Sequence, residues 1–463
     1  MFTKKHIHFV GIGGIGMSAI AQVLYQKGFK VTGSDISENL ITKKLKKRIK
    51  IFYSHKPSNV NNADILVHSS AINKNNVEIK SASKQKIPIF TRAMMLAEIM
   101  RLKSSITVAG SHGKTTTTSI IASILEFSGY DPTILSGGII NGLEINAKLG
   151  KGQWIVAEAD ESDGSFVFLP STIGIINNID FEHVDYYKNI KDLKNSFLKY
   201  VYNIPFYGFI VLGIDNKNVK EIKEKIHGKK IVTFGLSNDA DYRAINIKTL
   251  KKNKDFLTSF DIVDKFQKKI TKNFIVPLIG EHNIKNVLAS ISVTRGLKIP
   301  YTKIKQSLRN FKGVKRRFTI LYKKNENLVI DDYAHHPVEI NSTLSSLKLI
   351  TKKKIITVFE PHRYSRLSEM FEQFLYSLRY SDEIFILPVY TAGEKRINKI
   401  DSVYFFNKLR KKYKNKFIYL SSDIKKTFMI LKKNINPGDN VVFLGAGMSS
   451  KFANNFSDLL LKS

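Results

Sequence analysis

Residues 108–118 read VAGSHGKTTTT, and this stretch decides the fold of the region around it. The apolar residues Ile106, Val108 and Ala109 stop at Gly110. A turn of Gly110, Ser111, His112 and Gly113 follows, then Lys114 and four threonines beginning at Thr115 and Thr116. Beyond them Ile120, Ile121, Ile124 and Leu125 recur at helical spacing. The order strand, glycine turn, Lys-Thr, helix wraps backbone N–H groups around a phosphate at a helix N-terminus. In such a loop Lys114 brings a point charge to the β/γ-phosphates and the Thr115 hydroxyl is a magnesium ligand. The spacing is G-x-x-G-K-T, shorter between the glycines than the general phosphate-loop pattern. A glycine turn merely capped by threonines is the plainer alternative, but the pattern points to ATP.

Toward the N-terminus lies a second glycine turn. Ile7 to Val10 is an apolar run, GIGGIG follows, and Met17, Ile20, Ala21 and Leu24 keep helical spacing. Gly11, Gly13 and Gly16 satisfy G-x-G-x-x-G, and Asp35 stands just past the next strand, opened by Val31. That is the layout of a dinucleotide fold. Taken alone it predicts NAD and a nicotinamide oxidoreductase, a reading that leaves the Lys-Thr loop without a role. Ile65 to Val67 and Ile87 to Phe90 complete a small α/β unit ending near Arg101.

Toward the C-terminus, strand-like runs at Trp154 to Ala157, Ile173 to Ile176 and Phe209 to Leu212 alternate with helical patterns. Residues 240–275 are alternating and lysine-laced, as antiparallel strands at a sheet edge are. A helical stretch follows Asn283, and near Lys312-Gly313 the pattern restarts. Leu328 to Ile330, Ile355 to Phe359, Ile384 to Leu387 and Val441 to Leu444 then alternate with helices. The expected fold is α/β in three domains: 1–103 Rossmann-like, 104–312 a central P-loop-type ATPase fold with a mostly parallel sheet, and 313–463 Rossmann-like.

Composition narrows the class. A chain of 463 residues with 43% hydrophobic and 24% charged residues can bury several cores. It has no cysteine, which excludes disulfides and thiolate metal sites and fits a reducing compartment. The 74 basic and 39 acidic residues leave a net charge of +35. A nucleic-acid binder is one reading of that charge. The lysines, however, are spread along the whole chain amid abundant Ile, Asn, Phe and Tyr, so solvated faces account for them and no nucleic-acid partner is expected. The basic start and apolar core at 4–24 mimic a signal peptide, but a glycine cluster interrupts that core. No apolar run reaches the ~18–20 residues that span a bilayer, so no membrane partner is expected and the location expected is the cytoplasm.

Four further motifs carry chemistry. AEADESD puts Glu158 at a strand end with Asp160, Glu161 and Asp163 close by, the oxygen-rich donor set that Mg²⁺ takes beside a phosphate. NNIDFEHVD at 177–185 follows another strand; its His183 reads equally as a metal ligand or a histidine at a core edge. DDYAHHP at 331–337 and PHRYSR at 361–366 both follow strands of the third unit. Arg363 and Arg366 in the latter can grip a carboxylate or phosphate through charge-assisted bonds.

In this order and spacing, HFVGIGGIGMSAIA, AGSHGKTTTT, AEADESD, the N-x-x-x-x-H-x-D stretch, GEHNIKNVLA, GVKRRF, DDYAHHP and PHRYSR resemble the signatures of the Mur ligase family. GAGMS at 445–449 is similar to its C-terminal end. The resemblance implies a UDP-sugar-binding domain, an ATPase domain and an amino-acid-binding domain. It implies an ATP-dependent carboxylate–amine ligase that joins L-alanine to UDP-N-acetylmuramate through an acyl phosphate, in peptidoglycan precursor synthesis. A related ligase attaching a preformed peptide to the same UDP-sugar is the near alternative. The expected state is a monomer or homodimer.

Residue by residue, the resemblance places Gly110 to Thr116 on the triphosphate, with Lys114 on the γ-phosphate. Thr115 and Glu158 resemble ligands of one Mg²⁺ and His183 a ligand of a second. His282, Asn283 and Asn286 match residues near the adenine. Arg316 or Arg317 would reach the transferring phosphate, so that ATP closes the domains. Asp331, Tyr333, His335, His362, Arg363 and Arg366 would line the L-alanine side, Asp331 serving the ATP site as well and His335 the chemistry. Gly13, Ile15, Gly16, Asp35, Ser69, Ser70 and Arg92 would surround UDP. No carbamylated lysine is expected. Lys114→Ala is expected to abolish phosphate release without loss of stability, as for a lysine on a surface loop.

Overall fold

The computed structural model describes residues 5–69, 71–73, 75–141, 145–183, 186–252, 255–324 and 326–462. Three sheets follow one another along the chain, as the alternating pattern predicts. The first contains β1 (His6–Val10), β2 (Lys30–Ser34), β3 (Lys50–Phe52), β4 (Ile65–His68) and β5 (Ile89–Thr91). Its order is β3-β2-β1-β4-β5, and every pairing is parallel. β1 is central and wholly buried because IHFV faces side chains on both sides of the sheet. Gly11, at φ 80, ends it, and helix Ile15–Gln26 runs back with Met17, Ile20, Val23 and Leu24 turned inward.

The second sheet has ten strands: β6 (Ser104–Ala109), β7 (Thr133–Ile140), β8 (Ile145–Lys148), β9 (Trp154–Glu158), β10 (Ile173–Ile176), β11 (Phe209–Gly213), β12 (Ile231–Gly235), β13 (Tyr242–Lys252), β14 (Asp255–Asp264) and β15 (Lys269–Val276). The order is β15-β14-β13-β12-β11-β10-β6-β9-β7-β8. β6 lies between β9 and β10, parallel to both. The carboxyl ends of those neighbours therefore flank Gly110, where ligands collect in open α/β sheets. Lysine-laced 240–275 does supply the edge strands β13 to β15. β7, β8 and β12 were not singled out in the sequence; glycines break the apolar run of β7, and β8 is a short edge strand.

The chain divides into two compact units, Met1–Lys248 with Ser259–Pro277 and Asn283–Lys312, and Thr249–Thr258 with Leu278–His282 and Gly313–Ser463. Within the first unit the two sheets share a core. Val23, Leu24 and Met100 from the N-terminal part belong to the same apolar cluster as Leu135, Ala147 and Ile155. Asn146 donates to Ile15 O at 3.0 Å, tying the edge strand β8 to the start of helix Ile15–Gln26.

The second unit is built on β16 (Thr319–Lys324), β17 (Asn327–Asp332), β18 (Ile355–Phe359), β19 (Glu383–Ile386), β20 (Phe417–Leu420) and β21 (Asn440–Leu444). Their order is β16-β17-β21-β18-β19-β20, parallel except for β16 on β17. β16 was missed because its TILYKK sequence, half exposed at an edge, lacks the continuous apolar run of a central strand. Among the described residues no helix is long and apolar enough to cross a membrane.

Candidate active-site residues

The central loop is shaped by two glycines that nothing larger replaces. Gly110 has φ 125, and a Cβ there would stand 2.9 Å from Asn178 O. Gly113 has φ 80, and a Cβ would collide with Asn286 Oδ1. Both are left-handed positions that disfavour a side chain. Helix Lys114–Phe127 starts with no side chain capping its first amides, so those donors remain available to a phosphate. The loop is braced from β10: His112 N donates to Asn178 Oδ1 at 2.8 Å, and Asp180 N donates to Ser111 Oγ at 2.9 Å. Asn177 donates to Thr117 Oγ1 at 3.1 Å, and that hydroxyl donates to Asn286 Oδ1 at 3.3 Å. Asn283 in turn accepts from Asn286 at 3.4 Å. His282 is the second residue of the same helix, Glu281–Gly296, and belongs to the other compact unit.

Lys114 is not a surface-loop lysine. Its side chain is 16% exposed and donates to both oxygens of Glu161, 1% exposed, at 2.9 Å, and to Gly110 O at 2.7 Å. Burial alone would lower the lysine pKa, but the charges of Glu161, Asp160 and Glu182 raise it above the ordinary range. Burial likewise works to raise Glu161, and Lys114 and His183 overcome it and hold the carboxylate ionised. Removing one member of a buried pair leaves an uncompensated charge, which costs ~3–5 kcal/mol. The expectation that Lys114→Ala spares stability is corrected on that ground.

The four acids of AEADESD part company. Glu158 alone stands at the threonine, accepting from Thr115 Oγ1 at 3.2 Å and from Gly137 N at 2.6 Å. Glu161 takes Lys114, Asp160 lies 3.3 Å from Arg92, and Asp163 accepts from Ser165 N at 3.0 Å. His183, in a left-handed conformation at φ 57, points Nε2 to within 3.7 Å of Glu161 and 3.9 Å of Glu182. His112 Nε2 lies 3.2 Å from Glu182 and 3.4 Å from Asp180. Thr115 with Glu158 is a pair of hard oxygen donors that suits Mg²⁺.

Around the first glycine turn, Gly13 N donates to Asp35 Oδ2 at 2.8 Å, while Ile15 opens the helix and is exposed. Ser69 N donates to Val10 O at 3.2 Å and Ser69 Cβ lies beside Gly11. Arg92 lies over Gly16, where a Cβ would come within 3.3 Å of its Cδ. Ser70 lies outside the described residues. The sequence did not reveal what stands beneath this turn. Ser34, whose carbonyl accepts from Gly11 and Ile12, donates its hydroxyl to the wholly buried Glu78 at 2.6 Å. Burial works to raise Glu78, but the nearby His8 and hydrogen bonds from Ser34 and Asn59 bring it down to about 2.

In the second unit the predicted residues gather at the carboxyl ends of β17 and β18. Arg316 and Phe318 are left-handed, at φ 61 and 50, and this bend turns Arg316 Nη2 to Gly445 O at 2.9 Å. The Arg316 and Arg317 guanidinium carbons lie 4.7 and 5.2 Å from the centre of the Tyr333 ring, and Arg317 is 3.4 Å from Glu339. Asp331 accepts from Ser450 Oγ at 2.6 Å. His335 Nδ1 is 3.0 Å from Tyr333 O; its ring lies 5.5 Å from that of His362, which stacks on Tyr390 at 5.3 Å. Arg366 reaches His362 Nδ1 at 3.3 Å, and Arg363, at φ 68, lies 3.8 Å from Glu394. Burial lowers His335 to about 3 and His362 to about 4, and raises Asp332 to about 6.

Several partners here were not foreseen. Glu360, buried at the end of β18, accepts from Gly447 N and Met448 N at 2.8 Å each, so it anchors the GAGMS loop. Asp332 receives Phe318 N and Ala334 N, both at 2.8 Å. Only its strand-end position, next to PHRYSR, could have marked Glu360.

Comparison with known proteins follows the same three-part order. Residues 6–104 match the Mur ligase family catalytic domain, 108–294 the Mur ligase middle domain, and 316–447 the Mur ligase glutamate ligase domain. The UDP-N-acetylmuramate–L-alanine ligase of Rickettsia bellii is 46% identical over 458 residues, covering 98% of this chain and 96% of that protein. The protein of the same name from Rickettsia felis is 45% identical over 463 residues, covering 99% and 97%. Among solved structures, UDP-N-acetylmuramate-alanine ligase from Thermotoga maritima superposes with a TM-score of 0.84 at 27% identity, covering 99% of each chain. A murein peptide ligase from Psychrobacter arcticus shares the fold, with a TM-score of 0.70 at 22% identity over 99% and 98%. With its motifs, its three sheets and these near full-length similarities in agreement, the chain belongs to the Mur ligase family.

Proposed function

We propose that the protein is an ATP-dependent ligase joining L-alanine to the carboxylate of UDP-N-acetylmuramate, a step of peptidoglycan precursor synthesis. The observation that carries this reading is near full-length identity of about 45% to ligases of that name. The γ-phosphoryl group of ATP passes to the sugar acid's carboxylate, and ADP leaves. The amine of L-alanine then attacks the acyl phosphate, and phosphate leaves from a tetrahedral intermediate. Residues 1–103 would bind the sugar nucleotide, 104–312 ATP and 313–463 the amino acid.

Phosphoryl transfer asks for positioning and charge neutralisation more than for covalent chemistry. The uncapped first amides of helix Lys114–Phe127 and the Lys114 ammonium supply both. Lys114, held at the loop by Glu161, would add its charge to the triphosphate site. Thr115 and Glu158 would hold Mg²⁺, with His183 toward a second ion; the metal neutralises the triphosphate when bound. His282, Asn283 and Asn286 would face the adenine, and Gly13, Ile15, Gly16, Asp35, Ser69, Ser70 and Arg92 the UDP moiety. Arg316 and Arg317 would meet the transferring phosphate, with Asp331 holding Arg316.

Tyr333, His362, Arg363 and Arg366 would receive L-alanine, the arginines gripping its carboxylate. A histidine held neutral to about pH 3 accepts a hydrogen bond without titrating, so His335 orients the attacking amine more than it removes its proton. Nucleotide substrates made inside the cell agree with a cytoplasmic location. The deciding experiment is phosphate release with ATP, Mg²⁺ and UDP-N-acetylmuramate, adding L-alanine, L-serine, glycine or a peptide in turn. Release driven by L-alanine supports the reading. Release with the peptide alone assigns the chain to peptide attachment.

A further inference from the structure

Between the two glycine loops of the first unit, a side chain to which the proposed reaction gives no role reaches Arg92. Asp160 sits in the turn after β9, two residues past Glu158 and next to Glu161. Its Oδ2 lies 3.3 Å from Arg92 Nη2. Each end of this contact is held from behind. Asp160 Oδ1 accepts from Ser162 N at 3.1 Å, which fixes the carboxylate. Ala159 N donates to Val108 O at 2.9 Å, which pins the turn to the strand that enters the phosphate loop. Arg92 is the first residue of helix Arg92–Met100, and Thr91 caps that helix by accepting from Met94 N at 3.2 Å. Its stem lies over Gly16, so its position depends on the glycine turn and the carboxylate together.

Charge points the same way. Burial alone would raise the Asp160 carboxyl, but Lys114 at the phosphate loop and Arg92 over the first glycine turn lower it. Asp160 thus contacts Arg92 and lies within the field of Lys114. Arg92 and Asp160 are 68 residues apart and follow strands of different sheets, β5 and β9.

We infer that Asp160, a residue of the central fold, is a positioning residue for the sugar nucleotide: it holds Arg92 over Gly16 and sets that loop's distance from Lys114. The inference rests on the reading of residues 1–103 as the UDP-sugar domain. Asp160 touches neither nucleotide in this account; it acts through Arg92. A guanidinium already aimed by a fixed carboxylate loses less freedom when it meets an anionic ligand.

The test is a double-mutant cycle on the full-length enzyme, with Asp160→Asn, Arg92→Ala and the pair. Phosphate release gives kcat/KM for UDP-N-acetylmuramate at saturating ATP, and calorimetry gives Kd for the same compound. Asp160→Asn and Arg92→Ala are each expected to lower kcat/KM and raise Kd by about tenfold, the size of one charge-assisted contact. The pair is expected to be no worse than Arg92→Ala alone, because a residue acting through another is non-additive with it. Asp160→Glu, which keeps the charge, should recover much of the loss, and an unchanged thermal midpoint shows that the fold is intact. The inference is overturned if the two losses multiply, or if Asp160→Asn stays within twofold of wild type. A wild-type enzyme that neither binds the UDP-sugar nor releases phosphate with it would overturn the functional reading instead.

Discussion

The charged groups at and beside the candidate sites of the two compact units respond to burial in opposite ways. In the first, pairing wins: Lys114 is raised, Glu161 and Asp160 are lowered, and Glu78 falls to about 2, so each group stays charged. In the second, burial wins: Asp331, Asp332 and Glu360 are raised while His335 and His362 are lowered, which moves all five toward neutrality. The charge there rests on the arginines, which cannot give it up. A site for a triphosphate needs fixed charge that ligand oxygens can replace. A site for an amino acid needs donors for one carboxylate and surroundings that leave the amine unprotonated. Under the proposed function, the substrate assigned to each unit suits its electrostatics.

The largest effect that tests this contrast is at Lys114. Lys114→Ala is expected to lower phosphate release on the order of 10²–10³-fold, as loss of one donor to transition-state charge does. Unlike a surface-loop change, it should also destabilise the fold by ~3 kcal/mol in a denaturant melt, because Glu161 is left buried and unpaired. Adding Glu161→Gln should restore most of that stability and none of the activity. If Lys114→Ala melts like wild type, the pairing account of the first unit is wrong.

Glu78 gives the next largest signal. Its folded pKa of about 2 lies below the ordinary 4.5, so its contribution is fully present above pH 4.5 and is lost as pH falls toward 2. The size is on the order of 3 kcal/mol for such a gap. Melts of wild type and Glu78→Gln between pH 6 and 3 should converge on acidification. Parallel curves would remove Glu78 from the set of charged, paired groups.

In the second unit, Arg363→Ala is expected to raise KM for L-alanine by about tenfold, the weight of a charge-assisted hydrogen bond, with Kd for an ATP analogue unchanged. A shift in nucleotide affinity alone would move this arginine out of the amino-acid site. The smallest effect expected is an absence of titration. His362 and His335, lowered to about 4 and 3, should stay neutral through pH 5 in a histidine-resolved NMR titration. A midpoint near 6.5 for either would break the contrast between the units.

Much of this was legible because it is local. A glycine turn between an apolar strand and a threonine-rich helix is encoded within eleven residues, and the structure puts helix Lys114–Phe127 where that pattern predicts it. Edge strands were harder. β16 and β20 are short and half exposed, so they lack the apolar run that betrays a central strand. Partners were the hardest, because pairing across a sheet links residues far apart in the chain. The spacing of AEADESD presents four equivalent acids; the strand order β10-β6-β9 and the placing of helix Arg92–Met100 give three of them different partners.

The sequence alone determined the kinds of element, the two glycine loops and the order of three α/β regions, since each follows from neighbours within one or two turns of chain. Tertiary structure decided which charges are kept and which are suppressed. Lys114 gains Glu161 only because β9 lies beside β6. Glu360 lies under the GAGMS loop only because β18 pairs with β21. A carboxylate's state depends on what the fold brings within a few ångströms of it, and that proximity is not encoded by its neighbours in the chain.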